Sequence, residues 1–367
     1  MRKAADADYL NVITPYLVMC RGVSATNGHA RKEDYVDSAN TAPVQPPTAA
    51  APAADALIDV RLIDIHFAAR DTNLYEFSRV DGKPLPPYEP GAHVDVHLPN
   101  GLVRQYSLIR PDPNPTTYMF GIKRDPASRG GSRHIHDNFH VGQTIKISPP
   151  CNNFPLVENA ELVILIAGGI GITPIRCMVQ RLMDRGRPWK LYYAARSRAD
   201  MAFVDELSRY PEVHCHFDDE HDGKVLDLGP IINDAPKNAH LYCCGPGPML
   251  RAFEVATADW PQAQIHVEYF TPKQEPAKKG GFVVELQRSG QEFFIPEGKS
   301  ILQVLLDEGI DVDYSCELGI CGACEQRVIS GIPDHRDAIL SEEEQAENKR
   351  VMICCAGCKS ERLVLDL

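Results

Sequence analysis

Four cysteines near the C-terminus constrain the fold of this chain more than any other feature. Cys316, Cys321 and Cys324 stand as C-x4-C-x2-C, and Cys354 follows after 29 further residues. Two irons bridged by two sulfides need four thiolates. A loop can deliver three of them only by wrapping closely around the inorganic core, and the fourth must arrive from a distant segment to close the cage. Gly319 and Gly322 give that loop backbone freedom, and small Ala323 leaves room. Ordinary buried cysteines need no such arrangement. A structural zinc site would more naturally use paired C-x2-C hooks, and there is one here. The spacing therefore reads as a plant-type [2Fe–2S] site with Cys316, Cys321, Cys324 and Cys354 as metal ligands. Such a site carries one electron at a time, so the rest of the chain should explain where its electrons come from.

Length bounds that explanation. With 367 residues the chain has room for two or three domains, and a 44% hydrophobic content suits packed cores. The net charge of −12 argues against nucleic acid as a partner. The longest clear apolar run, Leu162 to Ala167, stops at glycines far short of a membrane span. The N-terminus lacks the basic-then-apolar layout of a secretory signal. Twelve cysteines outside a small secreted frame point to a reducing compartment, and the expected location is the cytoplasm. From Phe282 to Leu367 there are 17 Asp/Glu against 8 Lys/Arg, a balance of −9 on the cluster-bearing segment. That acidity either keeps the segment solvated or steers a partner, and Glu317, Glu325, Asp334 and Asp337 are the candidate contacts.

Residues 1–55 form an N-terminal extension ending in an Ala/Pro-rich tract, expected to be disordered and given no chemistry. From Ile58 the pattern turns to strands. Ile58, Val60 and Leu62 alternate, then Ile63, Ile65 and Phe67 alternate in shifted phase, which predicts a strand with a bulge. His93 to Leu98 is a second alternating strand, whose His93 and His97 are expected on its solvated face. Arg104-Gln105-Tyr106-Ser107-Leu108, Gly121-Ile122-Lys123-Arg124 and Arg129-Gly130-Gly131-Ser132 follow. This succession suits an aromatic cofactor that carries a phosphate. Arg104 can fork onto phosphate oxygens, and Gly130, Gly131 and Ser132 can turn N–H groups and a hydroxyl toward the same anion. A following helix would add its dipole, and Tyr106 could pack on a flavin ring.

After Pro155 the periodicity changes. Val163 to Ala167 is a continuous apolar run, as a parallel strand buried on both faces requires. It enters Gly168-Gly169-Ile170-Gly171-Ile172-Thr173-Pro174 and then a helical stretch from Ile175 to Met183, an arrangement suited to nucleotide phosphate. Strands are expected at 190–195, 213–217 and 240–244, with a helix over 201–210, and Gly245-Pro246 opens another strand-to-helix turn. Alternating strand and helix implies a doubly wound sheet. Asp218 follows one strand, where a carboxylate would accept hydrogen bonds from ribose hydroxyls and repel a 2′-phosphate. Residues 272–281 read as a linker. Beyond it come a hairpin (282–286 and 291–295) and a helix, Ile301 to Asp307, with Ser300 as N-cap and Gln303 three residues on.

Together RQYSL, GIKRD, RGGS, LIAGGIGITP, YCCGPGPML, HVEYF, the cluster loop, the DHRD of Asp334 to Asp337 and the terminal LVLDL resemble the phthalate dioxygenase reductase family. The resemblance runs from about Leu57 to the C-terminus. It implies three domains in one chain: an antiparallel β-barrel flavin domain (56–154), an α/β doubly wound NADH domain (155–271) and, after the linker, an α+β, β-grasp plant-type ferredoxin domain (282–367). It implies FMN, where the residues alone left FMN and FAD open. The flavin contacts it implies are Arg104, Tyr106, Ser107, Lys123, Gly131, Ser132, Thr173 and Phe270, and Gln105, Gly121, Ile122 and Gly130 in the same stretches are further cofactor-binding candidates. The coenzyme side takes Gly168, Gly169, Gly171, Cys244, Gly245, Pro246 and Asp218, with Thr173, Cys244 and Phe270 at the reacting centre. Two features depart from the pattern. The extension has no counterpart, and Cys355 and Cys358 lie beside the fourth ligand where relatives usually carry other residues.

The expected activity follows from the parts. NADH gives two electrons as hydride, the cluster accepts one, and a flavin mediates between them. Plant-type clusters lie near about −400 mV and Rieske centres between roughly −150 and +300 mV, so transfer to a Rieske protein is downhill. The chain reads as the NADH-dependent reductase component of a Rieske-type aromatic-ring oxygenase or O-demethylase system. The alternatives are a reductase for a diiron monooxygenase and a general NADH diaphorase or quinone reductase.

Overall fold

The computed structural model describes residues 57–126 and 128–367. The expected extension, residues 1–55, lies outside the described residues. The first domain contains β1 (Ile58–Ala69), β2 (Thr72–Arg79), β3 (Ala92–His97), β4 (Val103–Ser107), β5 (Thr117–Lys123), α1 (Gly131–Asn138), β6 (Thr144–Ile147) and β7 (Cys151–Asn152). Its sheet runs β4-β3-β6-β1-β2-β5, with β7 on β3. Leu108, just beyond β4, bridges to Phe120 of β5, which brings the two ends of that order together as a barrel. The phase change in β1 is a bulge: pairing with β2 shifts between Leu62 and Asp64. Val60 and Leu62 point inward onto a core of Tyr75, Phe77, Tyr118 and Phe120.

The second domain contains β8 (Val163–Gly168), α2 (Ile172–Asp184), β9 (Trp189–Ala195), α3 (Val204–Leu207), β10 (Val213–Phe217), α4 (Leu228–Asn233), β11 (His240–Cys244), α5 (Gly247–Ala256) and β12 (Ile265–Glu268). All strands are parallel, in the order β10-β9-β8-β11-β12. Every residue of β8 is buried, as its unbroken apolar run requires. The helix α2 begins three residues earlier than its periodicity suggests, so Thr173 and Pro174 sit in its first turn, where Pro174 costs no hydrogen bond. The helix expected over 201–210 contracts to one turn. Phe203 enters it in a left-handed conformation (φ 61°), and Pro211 biases Tyr210 away from helix at the other end.

The third domain contains β13 (Phe282–Leu286), β14 (Gln291–Ile295), α6 (Ile301–Asp307), β15 (Glu325–Ser330), β16 (Pro333–Asp334), α7 (Glu342–Glu347), β17 (Arg350–Met352), β18 (Gly357–Cys358) and β19 (Arg362–Leu365). The main sheet runs β14-β13-β19-β15-β17, with β13 and β19 parallel and the other pairs antiparallel. Ile301, Leu302, Val304 and Leu305 of α6 pack on this sheet, a mixed sheet grasping one helix. Ser300 and Gln303 form the expected reciprocal cap. Residues 272–281 do not hang free. Ala277 N–H donates to the Cys355 carbonyl (2.9 Å), Gly298 N–H to that of Lys278 (3.0 Å), and Gly281 N–H to that of Ile295 (2.8 Å). The segment is thereby stitched to the cluster domain.

Candidate active site and metal centre

The strand register explains how a fourth thiol reaches a loop made thirty residues earlier. Glu325 of β15 pairs with Met352 of β17, and Ile353 N–H donates to the Cys324 carbonyl (3.3 Å). One residue further on, the Cys354 thiol lies in hydrogen-bond contact with that of Cys324, and the Cys316 and Cys321 thiols form a second such pair. Two buried thiol pairs around one loop could supply the donors for two irons, one pair to each. The N–H of Leu318 donates to Cys316 Sγ (3.3 Å), a contact that favours thiolate.

Cys355 and Cys358 separate clearly. Cys355 is buried, its thiol touches that of Cys354, and it packs under the loop at Gly319. A Cβ at Gly319 would fall 2.5 Å from Cys355 Sγ, and φ there is +68°, so only glycine fits. The Cys358 thiol instead contacts the Ile332 carbonyl and the Ser360 hydroxyl. The DHRD segment holds the loop from its other side: Ala338 N–H donates to the Gly319 carbonyl (2.8 Å). Asp337 is buried, and its carboxylate accepts from the N–H groups of Ile339 (3.1 Å) and Leu340 (2.8 Å). Of the four carboxylates offered as partner contacts, Asp337 is thus structural, Asp334 pairs with Arg336 and Glu325 with Arg350. Glu317 is exposed, together with Asp311, Asp313 and Tyr314 just before the loop.

All three domains meet around one cleft of about 540 Å³. The barrel contributes Arg104, Gln105, Tyr106, Ser107, Gly121, Lys123 and Ser132, and the α/β domain contributes Thr173 and Phe270. The third wall is Cys316, Leu318, Ile320, Ala338 and Ile339 of the cluster domain. This volume is of the size that holds a cofactor. Its cations gather where α1 begins: the Arg104 guanidinium donates to the carbonyls of Val103 (2.7 Å) and Arg129 (3.2 Å), and its stem lies against Gly131. Gly121 faces the Thr173 methyl, where a Cβ would intrude to 2.7 Å, so this glycine lets the two domains close on each other.

The expected nicotinamide residues occupy two turns packed back to back. A Cβ at Gly171 would fall 2.2 Å from the Cys244 carbonyl, and one at Gly168 would strike Pro246 and Met249. Cys244 is fully buried, and burial raises its thiol well above the usual range. Its Sγ lies 3.8 Å from Glu268 Oε2. Burial pushes the Glu268 carboxyl up to about 8, with the Cys244 contact opposing. Both groups are therefore neutral at pH 7, a surface suited to an uncharged ring and not to a nucleophile. Because Glu268 binds its proton more tightly folded than unfolded, its contribution to stability is complete below about pH 4.5 and is lost as pH rises through about 8. Glu268→Gln is expected to flatten this decline, visible as a smaller fall in Tm between pH 5 and pH 9 than in the unaltered protein.

The cleft gathers most, not all, of the residues singled out by sequence. Ile122, Gly130, Gly131, Gly168, Gly169, Gly171, Cys244, Gly245 and Pro246 do not line it. Asp218 lies past the end of β10, two strands from the crevice between β8 and β11, its carboxylate 3.5 Å from His216 Nε2. Glu268, Asn153, Leu318 and Ile339 also line the cleft; Glu268 and Leu318 lie within HVEYF and the cluster loop without being singled out there, and Asn153 and Ile339 carry no sequence signal. His93 needs correction. It is buried, not solvated, and meets Gln105 Nε2 at 3.2 Å, while burial holds its imidazole below the usual range. Among the described residues no helix is long and apolar enough to cross a membrane.

Comparison with known proteins agrees with this geometry. An oxidoreductase NAD-binding domain family matches residues 165–254, and a 2Fe-2S iron-sulfur cluster binding domain family matches 284–359. The chain is 46% identical over 311 residues to the phenoxybenzoate dioxygenase subunit beta of Ectopseudomonas oleovorans, covering 84% of this chain and 97% of that one. It is 43% identical over 317 residues to a vanillate O-demethylase oxidoreductase of Pseudomonas sp., covering 85% and 100%. The solved structure of phthalate dioxygenase reductase, a modular structure for electron transfer from pyridine nucleotides to [2Fe–2S], superposes with a TM-score of 0.68 at 37% identity, over 85% of this chain and 98% of that one. A flavin barrel, a nucleotide-binding sheet and a cluster domain sharing one cleft, at this similarity along the chain, place it in the phthalate dioxygenase reductase family.

Proposed function

We propose that this protein is the NADH-dependent reductase component of a Rieske-type aromatic-ring oxygenase or O-demethylase system, acting in the cytoplasm. The observation that carries the reading is the single cleft bordered at once by Arg104 and Ser132, by Thr173 and Phe270, and by the ligand Cys316. The donor sets fit the cofactors of the family: a cationic corner for the FMN phosphate and two thiol pairs for a [2Fe–2S] cluster. When bound, FMN accepts a hydride from NADH and passes the electrons on singly. The protein domains divide the work as 56–154 for FMN, 155–271 for NADH and 282–367 for the cluster, joined by 272–281.

Arg104, Lys123 and Ser132 anchor the phosphate at the start of α1. Tyr106 and Ser107 would bound the isoalloxazine, and Gly121 brings Thr173 close to the same cleft. Phe270 and neutral Glu268 line the cleft that would receive the flavin ring and the nicotinamide, and neutral Cys244 is buried against Glu268. Cys316, Cys321, Cys324 and Cys354 hold the cluster at the same cleft. The exposed acids Asp311, Asp313 and Glu317 around the loop suit a basic face on the oxygenase, where steering gives fast encounter and fast release.

The test uses the holoprotein with NADH and an oxygenase of the vanillate or phenoxybenzoate type, under anaerobic conditions. Bleaching of the Rieske centre within catalytic times supports the reading, and electron delivery to quinones alone defeats it. Asp218 is the coenzyme selector: its carboxylate accepts hydrogen bonds from a free ribose diol and repels a 2′-phosphate. Asp218→Ala is expected to narrow the preference for NADH over NADPH by about tenfold, the scale of one charged hydrogen bond. The ratio of kcat/KM for the two coenzymes measures it.

A further inference from the structure

We propose that Asn153 is the positioning residue that clasps the cluster loop to the flavin barrel and so sets the rate of electron transfer between the two cofactors. The inference rests on the reductase reading above. Asn153 Nδ2 donates to the main-chain carbonyl of the ligand Cys321 at 2.9 Å, a contact that joins residues 168 apart in sequence. Both residues belong to the region of the shared cleft: Asn153 lines it, and Cys321 sits in the loop that forms its third wall.

A clasp works only if its anchor is rigid, and this one is. Asn153 follows β7, which pairs with β3 through Ala92–Asn152 and His93–Cys151. The neighbouring Asn152 side chain donates to the Pro90 carbonyl (3.0 Å) and accepts from Phe154 N–H (3.0 Å). The Phe154 carbonyl in turn lies so close to Gly91 that a Cβ there would stand 1.9 Å away. The turn bearing Asn153 is therefore locked to the barrel on both sides. The cluster domain is also tied to the 272–281 segment, through Ala277 N–H to the Cys355 carbonyl and Arg336 Nη1 to Gln274 Oε1 (3.3 Å). Those bonds join the domain to its own tether, whereas the Asn153 contact joins the cluster loop to the flavin barrel.

The step concerned moves one electron from reduced flavin to the cluster, taking its two irons from both ferric to one ferric and one ferrous. No bond forms or breaks, so the separation and orientation of the two cofactors govern its rate. In stopped-flow with holoprotein and NADH, Asn153→Ala is expected to leave flavin reduction at its normal rate and to slow the following cluster reduction severalfold. Asn153→Asp, which keeps the size but presents a carboxylate to a carbonyl, should behave the same way. Asn153→Gln, which keeps the amide, should recover part of the loss. Cluster reduction at the normal rate in Asn153→Ala overturns the proposal. So does equal slowing of both phases, because the residue then acts on the cleft as a whole. If Asn153→Ala fails to retain FMN, the Asp and Gln pair decides, and equal cluster-reduction rates in those two overturn it. Failure of the underlying reading is seen separately, in an unaltered protein whose flavin NADH does not bleach.

Discussion

Serine at any one of Cys316, Cys321, Cys324 or Cys354 is expected to abolish electron delivery to the oxygenase while NADH still bleaches the flavin. On the proposed ligand set two irons share four thiolates in two pairs, so removing one would leave an iron with a single sulfur from the protein. Altering groups that merely support a metal ligand costs about 10- to 100-fold, and losing a ligand outright should exceed that. The measurement pairs acid-labile sulfide and EPR on the dithionite-reduced protein with anaerobic NADH titration of the flavin absorbance. Cys355→Ser separates ligand from neighbour. Its thiol touches Cys354 and underlies Gly319, so the variant should keep the cluster with a shifted EPR signal. A native signal in Cys354→Ser together with a lost one in Cys355→Ser would falsify the assignment of the fourth ligand.

Arg104→Ala is expected to empty the flavin site without disturbing the cluster. The guanidinium is held by the carbonyls of Val103 and Arg129 and laid against Gly131, which aims it at the anion corner before any cofactor arrives. A hydrogen bond to a charged group contributes about 1.5 to 3 kcal/mol, so the Kd for FMN should rise about 10- to 100-fold. Arg104→Lys should recover little, because a point charge cannot replace the fork. Fluorescence titration of apoprotein with FMN reads the constant, and an unchanged EPR spectrum of the cluster shows the remaining fold intact. An FMN affinity equal to that of the unaltered protein would remove Arg104 from the phosphate site.

Sequence alone determined whatever depends on local chemistry. Three thiols within one short loop, glycines between them and a fourth cysteine downstream state a two-iron site before any fold is known. The unbroken apolar run of Val163 to Ala167 and the alternation around Ile58 state buried and half-buried strands, because side-chain period follows directly from backbone geometry. The Ser300–Gln303 cap is local in the same sense. Tertiary structure decided what depends on distance across the chain. Which cysteine stands beside Cys324 is set by the register of β15 against β17, which places Cys354 there while turning Cys355 under Gly319. Glu268 carries no signature in its strand. Its raised pKa exists only because packing removes water from it and sets Cys244 alongside. His93 alternates as a solvated residue would, yet a cleft shared by three domains covers it. Asn153 is an unremarkable polar residue after a two-residue strand until Cys321, 168 positions later, is folded against it. Contacts made by close packing of separate domains have no period and no spacing in the sequence, and only the assembled cleft reveals them.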